Sequence, residues 1–203
     1  MTGKFITFEG LDGAGKSTFV PYVRERLETA GRTVLVTREP GGTPAGERIR
    51  ALLLDPASEL TPETEALLVF AARHQHLQTV VWPALEKGTY VLCDRFTDST
   101  FAYQGGGRGI PAASLGILES WVQGDFQPDL TLWFDVDEGV SHARLRNDRV
   151  LDRFELENGE FYSHVRGGYQ ARAAADPARI RRVDAAKTPK EVEVILDEYL
   201  LDI

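Results

Sequence analysis

The eight residues GLDGAGKS, Gly10 to Ser17, constrain this chain more than any other stretch of it. They match the pattern G-x-x-x-x-G-K-[ST], follow an apolar strand-like run and open a helix-like one, which is the context that pattern requires. Glycines in such a turn let consecutive backbone N–H groups point at phosphate oxygens, and the helix N-terminus behind them favours negative charge. A lysine at this place reaches the outer phosphates and the following hydroxyl ligates Mg²⁺. Gly10, Asp12, Gly13, Ala14, Gly15, Lys16, Ser17 and Thr18 are therefore expected to hold ATP, with Lys16 acting in catalysis and Ser17 on the metal.

A phosphate-binding loop of this kind needs a strand before it and a helix after it, and the rest of the chain repeats that alternation. KFITFE (Lys4–Glu9), TVLVT (Thr33–Thr37), YVLCD (Tyr90–Asp94), LTLWFDV (Leu130–Val136) and IRRVDA (Ile180–Ala185) are short and rich in β-branched or aromatic residues. Between them lie longer stretches with helical periodicity, such as Glu65 to Gly88. The pattern predicts an α/β, three-layer sandwich of the P-loop NTPase type, a mostly parallel sheet with helices on both faces. In such sheets ligands bind beyond the carboxyl ends of the strands. Pro21 and Pro83 fall inside helical stretches and are expected to kink or interrupt them.

Composition narrows the partners. The formal net charge of −8 argues against a broad electrostatic footprint for nucleic acid, so any bound anion must be met by locally concentrated cations. The only cysteine, Cys93, lies in an apolar run, which excludes an intramolecular disulfide and predicts a small buried side chain. No charged-then-apolar leader opens the sequence and no apolar run approaches membrane-spanning length. The expectation is a cytoplasmic protein with no membrane or nucleic-acid partner, forming one domain over residues 1–203.

A second polar segment, LCDRFTDSTFAYQGGGRG (Leu92 to Gly109), points to a second ligand. Asp94 ends an apolar strand, where a carboxylate of the Walker-B kind supports Mg²⁺; Asp135 in LWFD competes for that role. Arg95 follows Asp94 at once. Arg38 closes the second strand, Arg50 lies on the next helical stretch, and Arg73 shares a helix face with Phe70. Guanidinium groups match phosphate oxygens in a two-pronged geometry, a neighbouring aromatic ring can stack on a base, and Gln104 can offer a donor and an acceptor to a base edge. The glycines Gly105–Gly107 permit close backbone approach or form a flexible loop. An acceptor that is itself a phosphate needs no general base, because its second pKa lies near 6. Its difficulty is the approach of two anions, and arginines in these loops would answer it. Arg144, Arg146, Arg149 and Arg153 add a third basic cluster, expected as a lid over residues 144–156 that closes on the transferring phosphoryl group.

In the order FEGLDGAGKST, TREPGGTPAGERIR, FAAR, CDRFTDSTFAYQGGGRG, PDLTLWFDV and LDRFE, these segments resemble the thymidylate kinase family over essentially the whole chain. The resemblance implies phosphorylation of dTMP to dTDP by ATP with Mg²⁺ in dTTP biosynthesis, a five-stranded parallel sheet and a homodimer. It implies that Asp12 meets the sugar 3′-OH or the nearby metal, that Asp94 supports Mg²⁺, and that Arg38, Arg50 and Arg95 bind the monophosphate, with Arg95 also acting in catalysis. Arg73 and Gln104 would read the thymine edge, Tyr103 would lie under the deoxyribose, and Ser99 and Thr100 would flank the base. The phosphate-binding loop carries no arginine, as in the bacterial subclass whose catalytic arginines come from the lid, here Arg149 and Arg153. The turn Val183–Ala185 would lie against the donor adenine. Two departures stand out: relatives place a base-stacking phenylalanine where this chain has Val69, so Phe70 is expected to stack instead, and Phe96 replaces a tyrosine or histidine.

Two other readings follow from the same motif. A deoxynucleoside kinase would need a base near the sugar 5′-OH, for which Glu9 and Glu39 are the candidates. A guanine-nucleotide switch is disfavoured, because Asn147 and Asn158, the only asparagines, stand in no Asn-Lys-x-Asp motif. A cis Glu39–Pro40 bond would suit a substrate loop.

Overall fold

The computed structural model of the chain describes residues 3–145, 152–201 and 203. Its elements run β1 (Phe5–Gly10), α1 (Lys16–Thr29), β2 (Val34–Arg38), α2 (Pro44–Leu54), α3 (Pro62–His76), α4 (Trp82–Glu86), β3 (Tyr90–Asp94), α5 (Thr97–Thr100), α6 (Ala112–Gln123), β4 (Leu130–Asp135), α7 (Glu138–Leu145), α8 (Gly159–Ala175), β5 (Ile180–Asp184) and α9 (Pro189–Leu200), with π-helical segments at Leu77–Val81 and Phe101–Gly107. All five expected strand runs form strands, each boundary within one residue of the sequence reading. The strands pair in parallel in the order β2-β3-β1-β4-β5, a three-layer α/β sandwich as expected.

The apolar runs follow from that architecture, since a parallel sheet is covered on both faces. On one face Ile6, Phe8, Leu132 and Phe134 pack against Phe19 and Val23 of α1 and Leu196 of α9. On the other, Phe5, Val91 and Cys93 pack against Phe70, Leu77 and Leu115. Phe5, Phe96 and Phe126 meet ring to ring there. Cys93 is buried, as expected. A third cluster joins Tyr103, Trp133, Tyr162 and Tyr169 and seats α8 over the carboxyl end of β4.

The prolines behave differently from each other. Pro83 opens α4 after the π turn Leu77–Val81, so the long helical stretch is interrupted as expected. Pro21 sits inside α1, which runs on without a break. Gly105–Gly107 are not a flexible loop. They end the π segment Phe101–Gly107, packed so tightly on α8 that a Cβ on Gly106 would stand 2.5 Å from the His164 carbonyl oxygen, and one on Gly107 2.4 Å from the Phe161 ring.

β1 is the centre of the sheet, and the chain leaves it on one side for β2 and β3 and on the other for β4 and β5. That reversal opens a crevice at the carboxyl ends of the strands, where ligands of such sheets bind. Gly10 and Asp94 stand at its two lips, with Phe8 and Asp94 in register.

Candidate active site

Gly10 adopts φ 133°, and a Cβ there would lie 2.3 Å from the Phe134 carbonyl oxygen, so only glycine lets β1 turn out of the sheet beside β4. Gly13 and Gly15 also take positive φ. α1 has Gly15 at its N-cap, with no side-chain cap and no acidic residue in its first turn, whereas Thr43, Thr61, Asn158 and Thr188 cap α2, α3, α8 and α9. Uncapped N–H groups at a helix start suit an anion. Lys16 is buried, donating to the Gly10 and Leu11 carbonyls at 3.0 and 2.9 Å, and burial lowers its pKa. The Ser141 hydroxyl donates to the Asp12 carbonyl, tying α7 to the loop.

Arg95 links this loop to the second site. It is the sole non-glycine residue with positive φ (69°) among those described, at the turn where β3 ends. An arginine in this region costs on the order of 1 kcal/mol or more. Its surroundings hold it there: Arg95 N–H still bonds the Phe8 carbonyl, and Phe96 N–H reaches the buried Glu9 carboxylate at 2.7 Å. The Arg95 guanidinium then donates to Asp12 at 2.7 Å, the Gly10 carbonyl at 2.9 Å, Tyr169 at 3.0 Å, and Ser99 and Tyr103 at 3.1 Å. Burial alone would raise the Asp12 pKa, but the Arg95 and Lys16 charges outweigh it and hold Asp12 at about 2. Burial also acts on Glu9, with the Asp98 charge beside it, and pushes Glu9 up to about 7.

Next to Arg95 lies a cavity lined, among others, by Asp12, Arg50, Val69, Arg73, Tyr103 and Gln104. Ser99, Thr100 and Phe96 also face it. Arg73 is fully buried between the rings of Phe70 and Phe96, its carbon Cζ 4.9 Å from each ring centre. Its Nε donates to Glu39 at 2.7 Å and Nη2 to Thr100 at 3.0 Å, while Nη1 is buried without a hydrogen-bond partner. Such a donor costs about 1–3 kcal/mol unless something accepts from it. Glu39, whose bond to Pro40 is cis, also accepts from His76 at 2.9 Å, and His76 meets Thr37 at 2.7 Å.

Several expected residues sit elsewhere. Val69, not Phe70, faces the cavity; Phe70 lies in the core beneath Arg73, because the helix turn between them points the two side chains apart. Arg38 pairs with Glu47 at 2.9 Å in a neighbouring depression shared with Ser17 and Asp94, outside the cavity. Arg153 is held between α2 and α3. Its guanidinium donates to the buried Glu65 at 2.6 Å and to the Leu53 carbonyl at 2.9 Å, because a buried carboxylate draws the nearest cations. Arg146 and Arg149 lie outside the described residues, as does the Arg144 side chain. Asp135 is taken by Arg166 and Arg182, both at 2.7 Å, which withdraws it from competition for a metal. Glu9 and Glu39, the candidates for a base toward a sugar hydroxyl, each accept hydrogen bonds on both carboxylate oxygens, and of the two only Glu39 lines the cavity.

The residues present fit a magnesium ion. Asp94 Oδ1 is buried with no hydrogen-bond partner, in the depression that also holds Ser17. Among the described residues no cluster of three or more His, Cys, Asp or Glu side chains could hold a metal. One carboxylate and one hydroxyl suit an ion whose remaining ligands are water and substrate phosphates.

Sequence reading overlooked Tyr169, Ser141 and Glu65, each contributed by an element distant in the chain from the loop it serves. The visible signal was a carboxylate or hydroxyl set among apolar helical positions.

A strand, glycine turn and uncapped helix next to an arginine-lined cavity define a P-loop NTPase-type fold. Residues 8–194 match the family model "Thymidylate kinase". The thymidylate kinase of Pseudomonas fluorescens (strain Pf0-1) is 56% identical over 201 residues, covering 98% of this chain and 96% of that one. That of Nitrosomonas europaea is 52% identical over 200 residues, covering 98% and 93%. The crystal structure of thymidylate kinase from Ehrlichia chaffeensis superposes with a TM-score of 0.79 at 34% identity, covering 98% of this chain and 99% of that one. The chain belongs to the thymidylate kinase family.

Proposed function

We propose that this chain transfers the γ-phosphoryl group of ATP to dTMP, giving dTDP for dTTP synthesis, with Mg²⁺. The observation that carries the assignment to a base-bearing acceptor is the buried, unpartnered Nη1 of Arg73 at the cavity wall. A guanidinium whose other nitrogens are committed can bind a ring carbonyl with the one left over.

The residues act by positioning and charge neutralisation. Gly10–Thr18 and Lys16 hold the donor phosphates, and Arg50 and Arg95 hold the acceptor phosphate, with Arg38 at the approach. Asp12 and Tyr103 sit where the sugar would lie, and Arg73, Ser99, Thr100 and Gln104 surround the base. Val69 and Phe96 give its faces apolar contact. Mg²⁺, held by Ser17 and Asp94, would neutralise the phosphates as charge develops. Lys16 leaves the Gly10 and Leu11 carbonyls when a phosphate arrives, exchanging two neutral acceptors for a charged one. Arg149 is assigned to the closing lid. Arg153 tightens that segment against α2 and α3.

The same reading takes residues 1–203 as one nucleoside monophosphate kinase domain, cytoplasmic, with neither nucleic acid nor membrane as partner. No described helix is long and apolar enough to cross a membrane. It also takes the chain as a homodimer. Leu67, Ile117 and Trp121 are 53%, 71% and 82% exposed on α3 and α6, around an apolar groove that a second copy would cover.

A coupled ADP-release assay tests the assignment, with dTMP, dUMP, dCMP and thymidine offered separately. Turnover is expected with dTMP, and with dUMP more weakly. Turnover with thymidine and none with dTMP would overturn it.

A further inference from the structure

Glu65 is the most buried carboxylate of α3, fully enclosed, and it accepts from three side chains. Gln104 Nε2 donates to its Oε1 at 2.7 Å, Arg153 Nη2 to its Oε2 at 2.6 Å, and Arg108 Nε reaches Oε2 at 3.3 Å. An ionised carboxylate accepts and never donates. With two guanidinium groups on it, Glu65 can therefore receive only the nitrogen end of the Gln104 amide. The oxygen end, Oε1, is what Gln104 has left to present to the cavity it lines.

We infer that Glu65 sets the base preference of the cavity by fixing the polarity of the Gln104 amide. The inference rests on the reading that Gln104 faces the base. Arg73 has a donor to spare and Gln104 an acceptor, and both residues line the cavity. Together they are complementary to a pyrimidine edge that carries a carbonyl beside a ring N–H. A cytosine-type edge, an amine beside a bare ring nitrogen, opposes both. Glu65 is a positioning residue: it acts through Gln104 and not on the substrate.

The substitution Glu65→Gln tests this. Its carbonyl oxygen stays with Arg153, the stronger charge-assisted partner. Its new amide nitrogen then faces Gln104, which must turn over to accept, sending its own N–H groups into the cavity. The probe is 5-methyl-dCMP, which differs from dTMP only along the edge in question. In Glu65→Gln the ratio of kcat/KM for dTMP to that for 5-methyl-dCMP is expected to fall at least about tenfold, without closing, since Arg73 still opposes the amine. Adding Gln104→Glu puts an obligate acceptor back at position 104 and is expected to restore the preference for dTMP. A mere loss of packing would not be rescued in this way.

If Gln104→Ala leaves the ratio unchanged, the reading of Gln104 as a base contact falls, and the inference with it. If Gln104→Ala moves the ratio and Glu65→Gln does not, the inference alone is overturned. Neutron diffraction of the unaltered chain with dTMP needs no variant to fold. Deuterons on the Gln104 amide are expected toward Glu65, and deuterons directed at the ring nitrogen would refute the inference.

Discussion

Arg73 donates its Nε to Glu39 at 2.7 Å, and the two side chains are almost wholly hidden from solvent. They come from a strand-to-helix loop and from α3, and a third buried residue, His76, holds the far oxygen of Glu39 at 2.9 Å. A buried pair of charges is worth little as stability, but it fixes where its members point. Here that fixes the Arg73 guanidinium in the wall of the cavity, with Nη1 left unpartnered. Replacing His76 with Ala leaves Glu39 free to turn. KM for dTMP is expected to rise about tenfold with kcat within about threefold, since a positioned ground-state contact is loosened. Steady-state kinetics check this, and an equal fall in kcat would move His76 to the chemical step.

Arg95 distributes its donors over Asp12, Ser99, Tyr103, Tyr169 and a loop carbonyl, a fork that an ammonium cannot reproduce. The substitution Arg95→Lys keeps the charge and is expected to lower kcat/KM for dTMP about a hundredfold, the scale of one lost stabilising contact to a developing charge. A change under threefold would remove Arg95 from the phosphoryl site.

Glu9 gives a pH signature. Burial and the Asp98 charge raise its pKa from 4.5 to about 7 in the folded chain, so the folded state holds the proton more tightly than the unfolded one. Stability from this group is therefore full below pH 4.5 and is lost as pH rises to about 7, a difference of about 3 kcal/mol. Asp12 has the opposite sign. Its pKa is depressed to about 2, so its contribution is full above 3.8 and lost only as pH falls below that, outside the Glu9 window. Urea melts of Glu9→Gln and the parent should show the variant gaining on the parent by up to about 3 kcal/mol between pH 4.5 and pH 8. A pH-independent difference would contradict the burial argument.

Gly106 packs against the backbone of α8. The substitution Gly106→Ala is expected to cost about 2–3 kcal/mol in urea denaturation, as overpacking against backbone does. A flexible glycine loop would show almost no loss.

The sandwich and the phosphate loop were legible in the sequence because their causes are local. A strand buried on both faces tends to be a continuous apolar run, as in VLC, and a loop that wraps phosphate must place glycine where φ turns positive, as at Gly10, Gly13 and Gly15. Arg38 and Arg95 could likewise be listed in advance, since strand ends feed the crevice. Where each arginine points was decided by tertiary structure alone. Arg73 turns inward because Glu39 and His76 wait for it. Arg38 is drawn to Glu47 and Arg153 to Glu65, away from the places their motifs suggested. Val69 rather than Phe70 meets the cavity because one step along a helix rotates a side chain by about 100°. The glycine triplet reads as flexible until α8 is laid against it. Local pattern carries the backbone's requirements, while a charged side chain is oriented by partners that only the folded chain brings within reach.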